Sequence, residues 1–535
     1  MENKIFIKSD NSIIDKYNKE IEALIEEIKT TPNTEFDIKG TKYFVSSSEG
    51  DDNNDGLSEK TPFKTIEKVL ETGLKPGDGA FFKRGDTFRH ERFFDVKSGV
   101  TISAYGEGNK PIINFSRDAS SVSDWEKTEF ENIYKYTGKL DGFEKNVGAI
   151  IFDGGRAWGV HVSAISDKVD NNDKQYAGQR VDNGYTFNGI ESYTIPPHTR
   201  FRGPEDLFGN LEFYHKIDYE DNSVDELYLR CNEGNPAEVF GSVELSRRNC
   251  CIHLVGEDEM TFPYLEKVYK GTKDVIIDNI EVYAGYFGIG MGHVRNITIQ
   301  HCVFRWIGGQ IQGMPPWFQR NFPVRYGNAV ESFGHSDGFT MYHNYASQVY
   351  DCCWTVQCTG AATMNNVRIE RNVAEYANTG SEVWVADGGH LTNLIVRGNY
   401  DRYIGYGFSH QRPSLSSPSD KLAGGWRGAG GFFYGAHNRG MICEGNDISN
   451  NVYMLAGGSA HSLAAVHPDK YNLHDNVYIM EEGKRMCGIP NHEFRGDYTE
   501  EVILGGIEKT GAEKGTKFYC VKENPLGDMY KLLIS

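Results

Sequence analysis

The feature that most constrains this chain is a repeat. Five segments in its second half read alike, RNITIQHCVF, DGFTMYHNYA, NNVRIERNVA, TNLIVRGNYD and RGMICEGNDI, with YNLHDNVYIM a weaker sixth. Each is a short alternating strand that ends at an Asn or at the residue in its place: Cys302, Asn344, Asn372, Asn399, Asn446 and Asn476. The steps between these ends are 42, 28, 27, 47 and 30, which gives a basic period of 27 to 30 with two long insertions. Short strands at that period, with no helical pattern between them, fit a parallel β-solenoid whose coils stack on one another. Asn suits a fixed corner, because its amide can bond the same group one coil away and its backbone tolerates a left-handed bend. The all-β alternatives are an antiparallel sandwich or a propeller. Propeller blades would need a more regular repeat of ~40 to 50 residues and Asn-Gly hairpins, which are scarce here.

The rest of the chain is organised around that repeat. Residues 1–40 hold an amphipathic helix, with Ile14, Tyr17, Ile21, Leu24 and Ile28 at steps of three and four and with Ser12 and Asp15 placed like a capping box. Its apolar stripe needs a cover: either this chain, for instance as a lid over an open end, or a second copy through a coiled-coil contact in a homo-oligomer. Residues 41–117 read as the first coils, 118–265 as an inserted β-rich domain, 266–485 as the main coils and 486–535 as a C-terminal segment. At 535 residues the chain exceeds what one compact core supports, as a solenoid permits.

Charge and cysteine usage narrow the partners. With 75 acidic against 56 basic residues and no Lys/Arg block, the net charge of -19 would repel nucleic acid and anionic membranes. No apolar run approaches a membrane span or a signal h-region, so a soluble cytoplasmic protein is expected. The ten cysteines, with adjacent pairs at Cys250/Cys251 and Cys352/Cys353 and no CxxC, read as reduced, mostly buried thiols. No cofactor or metal is expected. The turn DDNNDG has Asp51, Asn53, Asp55 and Gly56 in the style of a calcium loop, but Pro62 stands at its twelfth position where Glu belongs. HExxH, P-loop and dinucleotide motifs are missing.

The opening YFVSSSEGDDNNDGLSEKTPFKTIEKV, followed by KPGDGAFFKRGDTF, resembles the first coil of right-handed parallel β-helix proteins that act on carbohydrates. Further on, FRWIGGQ, RYGNAVESFG, QVYDCCWTVQ and GSEVW resemble successive segments of a bacterial group that includes the β-xylosidases of glycoside hydrolase family 120. The resemblance spans about residues 42 to 480 and includes an inserted domain carrying LYLRCNEGNPAEVFGSVEL. It implies a pectate-lyase-like right-handed solenoid, and a glycoside hydrolase with paired carboxylates on one face. Short oligosaccharides or small glycosides are the expected substrates, a β-xyloside first among them.

The coils themselves place the acids. Thr355 lies 17 before Asn372 and Glu382 lies 17 before Asn399, so the two are stacked equivalents. Strict alternation gives Asp351, Cys353, Thr355 and Gln357 one phase, and Gly380, Glu382 and Trp384 another shared phase. Coils stack ~4.8 Å apart, which sets Asp351 within several ångströms of Glu382, with Glu331 one coil below. Three acids on one strip repel and raise each other's pKa values, and glycoside hydrolysis uses such a split. Following the resemblance, Asp351 is the nucleophile and Glu382 the acid/base, while Glu331 holds a sugar hydroxyl or tunes the other two. Alternatively, the acids are solvated groups paired with Arg320, Arg325 or Arg371.

Substrate contacts are expected from Gln357 and Trp384, from Trp317 and Arg325 in QIQGMPPWFQRNFPVRY, and from His410 at the start of a long Gly/Ser-rich insertion. Two other functions compete. A polysaccharide lyase or epimerase would need a base beside a uronate, with Arg320, Arg325 and His335 the nearby candidates. A non-catalytic glycan-binding solenoid would use the same groove without turnover.

Overall fold

The computed structural model describes residues 6–164, 178–180, 199–218, 221–248, 250–313, 324–358, 360–386, 388–411, 429–435, 442–457, 459–464, 470–482, 485–488 and, with gaps, 501–522. The chain is a right-handed parallel β-helix. Two long sheets run its length, an 18-stranded and a 13-stranded one, and almost every pairing within them is parallel. Alternate residues of each short strand turn inward, and the inward set forms one continuous core that includes Val45, Phe82, Ile102, Ile277, Phe304, Met341, Trp354, Ile369, Ile448 and Phe518. The single-period pattern of these strands leaves their outward faces free for polar groups.

A buried Asn ladder fixes the corner of the coils. The backbone N–H of Cys302 donates to Asn344 Oδ1 at 2.9 Å. Asn344 donates its own N–H and Nδ2–H to Asn372 Oδ1, both at 3.0 Å, and Asn372 does the same to Asn399 Oδ1 at 2.9 and 3.0 Å. The ladder then runs through Asn451 to Asn476. The expected corner at Asn446 is therefore displaced by five residues. Asn446 instead accepts the Leu394 N–H at 3.0 Å, at a different point of the coil. The cause lies in the sequence GNDISNN, where two asparagines directly follow a left-handed residue, Asn446 after Gly445 at φ 68° and Asn451 after Asn450 at φ 56°, and only the second turn stacks on Asn399.

A second ladder stands at the start of the strands that follow the groove. His293 Nδ1 accepts the His335 N–H at 3.0 Å, His335 Nδ1 accepts the Thr363 N–H at 3.1 Å, and His390 Nδ1 accepts the Ile442 N–H at 3.0 Å. The rings of His293 and His335 stack with centroids 4.7 Å apart. An imidazole can accept at Nδ1 only while that nitrogen is unprotonated, and burial holds the His335 pKa down at about 4.

The helix α1, Ser12–Thr30, packs on its own chain, along the flank of the solenoid and not over an open end. Strand Phe6–Ser9 pairs in parallel with Lys517–Val521 on the last coil, and α1 then runs back along the flank of the solenoid. Ile14, Tyr17, Ile21, Leu24, Ile25 and Ile28 bury against Tyr345, Val373, Tyr376, Tyr403, Val452 and Ile479. Past the helix, Thr31 accepts from Arg84 at 2.7 Å and Asn33 donates to Gly106 at 2.8 Å, so the strap ends at the first coils. The helix starts without the expected capping box: Asn11 is its N-cap and makes no side-chain cap, while Asp10 accepts the Ser12 N–H at 3.2 Å. The DDNNDG carboxylates are spent on local backbone. Asp52 takes the N–H groups of Lys64 and Thr65 at 2.8 and 3.0 Å ahead of α2, Ile66–Thr72, and Asp51 and Asp55 close turns.

The inserted domain is two small, mainly antiparallel sheets, built from Ser116–Asp118, Val243–Ser246, Ile150–Phe152 and Ala157–Trp158 on one side, and from Trp125–Lys127, Ile133–Tyr136, Val224–Arg230, Glu212–Ile217 and Val160–His161 on the other. It has its own core around Trp125, Phe152, Phe213 and Leu227. Strand Ile252–Leu254 already lies in the solenoid, between Phe94–Val96 and Ile289–Met291. Among the described residues no helix is long and apolar enough to cross a membrane.

Because Asn372 joins two coils through four hydrogen bonds, Asn372→Ala should cost about 2 to 4 kcal/mol in urea denaturation. A loss below about 0.5 kcal/mol would show that the ladder contributes nothing that water cannot replace.

Candidate active site

The outward face of the 18-stranded sheet carries one strip of stacked residues: Asp95, His253, Gly290, Glu331, Thr355 and Glu382 occupy the same register on successive strands. Thr355 and Glu382 are thus neighbours as the spacing predicts, and Glu331 lies directly beneath Thr355. Two residues along, Phe333, Gln357 and Trp384 form a parallel column, with Phe333 42% exposed.

Asp351 joins the strip through a bulge. The register of Tyr345–Cys358 against Val373–Val385 slips between Val349 and Cys352, and the slip breaks strict alternation. Cys353, expected on the face of Asp351 and Thr355, is instead fully buried in the solenoid core, where desolvation drives its thiol pKa far up. Cys352 takes the place beside the acids. Its Sγ lies 3.5 Å from Asp351 Oδ1 and 2.9 Å from Glu382 Oε2, so one thiol touches both carboxylates. Asn378 Nδ2 approaches Asp351 Oδ1 at 3.4 Å.

Glu331 is held from several sides. Asn328 donates its Nδ2–H to Glu331 Oε2, while Asn328 Oδ1 accepts the Cys352 N–H at 2.8 Å, so a single amide ties the acid to the thiol's strand. Burial raises the Glu331 pKa to about 8; hydrogen bonds from Asn328 and Gln357 oppose the rise, and the charges of Asp351 and Glu382 add to it. Glu331 therefore carries a proton at neutral pH. Of the three acids, Glu331 and Asp351 are buried and Glu382 is half-buried, open to the groove. Below Glu331 the floor is low: a side chain at Gly292 would meet no atom within 4 Å, and one at Gly290 would meet only ordinary contacts.

The other expected contacts divide. Gln357 bonds Glu331, and Trp384 flanks Glu382 in the next column. Arg325 is buried at the junction with the inserted domain, its guanidinium 4.7 Å over the Tyr350 ring and near enough to His161 and His215 to disfavour their protonation. His335, a candidate lyase base, is committed to the histidine ladder through Nδ1. Trp317, Arg320 and the side chain of His410 lie outside the described residues. Of the solvated ion pairs considered, Arg371 reaches Glu27 on α1 at 3.4 Å and none of the three acids. Cys352 and Asn328 escaped sequence reasoning, because Tyr345–Val356 is buried without a break and offers no alternation from which the outward residues could be read.

No family model matches the chain. A lacto-N-biosidase of Bifidobacterium longum subsp. longum is 34% identical over 111 residues, which is 19% of this chain and 7% of that protein. Among solved structures, one titled glycoside hydrolase is 10% identical, with a TM-score of 0.36, over 93% of this chain and 99% of its own. The GH136 lacto-N-biosidase from Eubacterium ramulus is 12% identical, with a TM-score of 0.31, over 91% and 68%. An exopolygalacturonase from Thermotoga maritima is 12% identical, with a TM-score of 0.30, over 88% and 93%. These names are those of carbohydrate-active proteins, and they give the β-xyloside expectation no support.

The raised Glu331 pKa has a stability consequence. Over the interval from its unfolded value near 4.5 up to about 8, the folded state keeps a proton that the unfolded state releases, so this group's contribution is most favourable below 4.5 and is lost as pH rises through 8. Glu331→Gln removes that loss. Relative to wild type, the variant should gain on the order of 2 kcal/mol or more between pH 5 and pH 8.5 in urea denaturation. Equal pH slopes for the two proteins would contradict the assignment.

Proposed function

We propose that the protein is a glycoside hydrolase acting on short oligosaccharides or small glycosides, with Asp351 as nucleophile and Glu382 as acid/base. The observation that carries this reading is the contact of both carboxylates with the single Cys352 thiol in an open groove of the sheet. Contacts of 3.5 and 2.9 Å bring one oxygen of each carboxylate to the same sulfur, and this closeness supports a retaining pair over an inverting one. Asp351 attacks the anomeric carbon and expels the leaving oxygen, which takes its proton from Glu382. Water, deprotonated by Glu382, then releases the sugar from Asp351.

Glu331, neutral at pH 7, donates a hydrogen bond to a sugar hydroxyl, which an ionised carboxylate could not do. Trp384 and Phe333 offer ring faces to the sugar beside the acids. The name of the Bifidobacterium relative makes a lacto-N-bioside the first natural substrate to try, alongside a β-xyloside.

Turnover of an aryl glycoside panel checks the roles. Asp351→Asn and Glu382→Gln should each lose about 10³-fold or more, and Glu382→Gln should lose least on aryl groups that leave without a proton. Glu331→Gln should lose far less, about 10- to 100-fold, and should abolish an alkaline fall in kcat/KM centred near pH 8. Near-normal turnover in either of the first two variants would refute the pairing.

A further inference from the structure

A cavity of about 570 Å³ lies where the first coils meet the inserted domain. Its wall carries four arginines, Arg92, Arg117, Arg247 and Arg248, against two carboxylates, Glu91 and Asp141. That balance is opposite in sign to the chain as a whole, whose net charge is -19. Glu91 is shared between Arg117 and Arg247, Asp141 takes Arg117 at 3.0 Å, and Arg248 pairs with Glu144 behind the wall. Arg92 is exposed and makes no ion pair within 4 Å among the described residues. The buried Nε–H groups of Arg247 and Arg248 have no acceptor there either, so donors outnumber acceptors. Gly142, at φ +75°, makes room for this: a Cβ there would collide with the Arg247 guanidinium. Glu91, Asp141 and Glu144 hold three of the four guanidinium groups and leave that of Arg92 without a carboxylate among the described residues, and its planar fork matches an oxyanion.

The cavity also communicates with the acids. The ring of Phe93, on its wall, lies 5.1 Å from that of His253, which sits two strands below Glu331 on the strip, or about 10 Å away. Arg248 lies 5.5 Å over the ring of Tyr286, and Tyr286 is near enough to Glu331 for the two to interact. Between Phe93 and Glu331 the floor is the low stretch at Gly290 and Gly292.

We propose that this cavity is an anion subsite that takes a carboxylate or sulfate group carried by the saccharide, whose rings run over Gly290 and Gly292 to the carboxylate strip. Its connection to turnover rests on the glycosidase reading; its ligand chemistry does not.

The test is a calorimetric titration of the full chain with glucuronic acid, glucose 6-sulfate and glucose, repeated on Arg92→Gln and Arg92→Glu. Arg92 is exposed, so both variants keep the fold. The anionic sugars should bind about tenfold tighter than glucose in low salt and lose that advantage as salt rises. Arg92→Gln should weaken them about fivefold and Arg92→Glu further, with glucose binding and turnover of neutral aryl glycosides unchanged. A preference between the two anionic sugars identifies the group carried. Equal binding of all three sugars, or anion binding that both variants leave intact, would overturn the subsite. Binding is read without turnover, so a failure of the glycosidase reading leaves this result standing.

Discussion

The hydrogen bonds that pass from Asn344 through Asn372, Asn399 and Asn451 to Asn476 set the height of every coil in the second half of the solenoid. Parallel strands have no hairpin to fix their register, and an outward polar face tolerates slippage that an inward apolar face does not. A buried amide that both donates to and accepts from its neighbours removes that freedom at one point per coil. The strip inherits its alignment from it. Thr355 and Glu382 stand opposite each other because each stands the same distance before its corner Asn. A slip of one residue would turn Glu382 inward and Val383 outward.

The groove gathers three acids where folding alone would disperse them. Bringing Glu331, Asp351 and Glu382 together opposes stability twice, by desolvation and by repulsion, and the surroundings offset only part of it: Asn328 and Gln357 bond Glu331, Cys352 touches the other two, and Asn378 approaches Asp351. Asn328 ties Glu331 to the backbone at Cys352, so the acid and the bulge that presents Asp351 are held by one side chain. Three acids gathered at a bulge in an otherwise regular lattice lower stability there, which is the cost that the proposed chemistry would carry.

Much of this was legible in the chain, and the exceptions have physical causes. The period, the corner asparagines and the stacking of Thr355 on Glu382 followed from spacing because a solenoid is nearly one-dimensional. The corner at Asn451 was misplaced at Asn446 because both asparagines follow a left-handed residue, and only the stacking of Asn451 on Asn399 separates them. Cys353 was assigned to the wrong face because nothing in the residue types of VYDCCWTV marks the bulge between Val349 and Cys352 that shifts its phase. The histidine ladder keeps the Asn period, since His293, His335 and His390 each lie nine residues before Cys302, Asn344 and Asn399, but Thr363 stands at the same place on the coil between His335 and His390 and interrupts the pattern. The helix stripe was plain, but its partner surface, assembled from tyrosines on separate coils, was not.

The strap that begins on the last coil and ends on the first gives the molecule an order of assembly. A chain leaving the ribosome can wind its coils one at a time as they emerge, each resting on the one before. Strand Phe6–Ser9 cannot take part, because Lys517–Val521, which receives it, is made some five hundred residues later. The stripe of α1 is likewise made long before Tyr345, Val373, Tyr376, Tyr403, Val452 and Ile479, which bury it and follow it by more than three hundred residues. Its release onto Tyr345, Tyr376 and Tyr403 completes the solenoid as a clasp closes a coil.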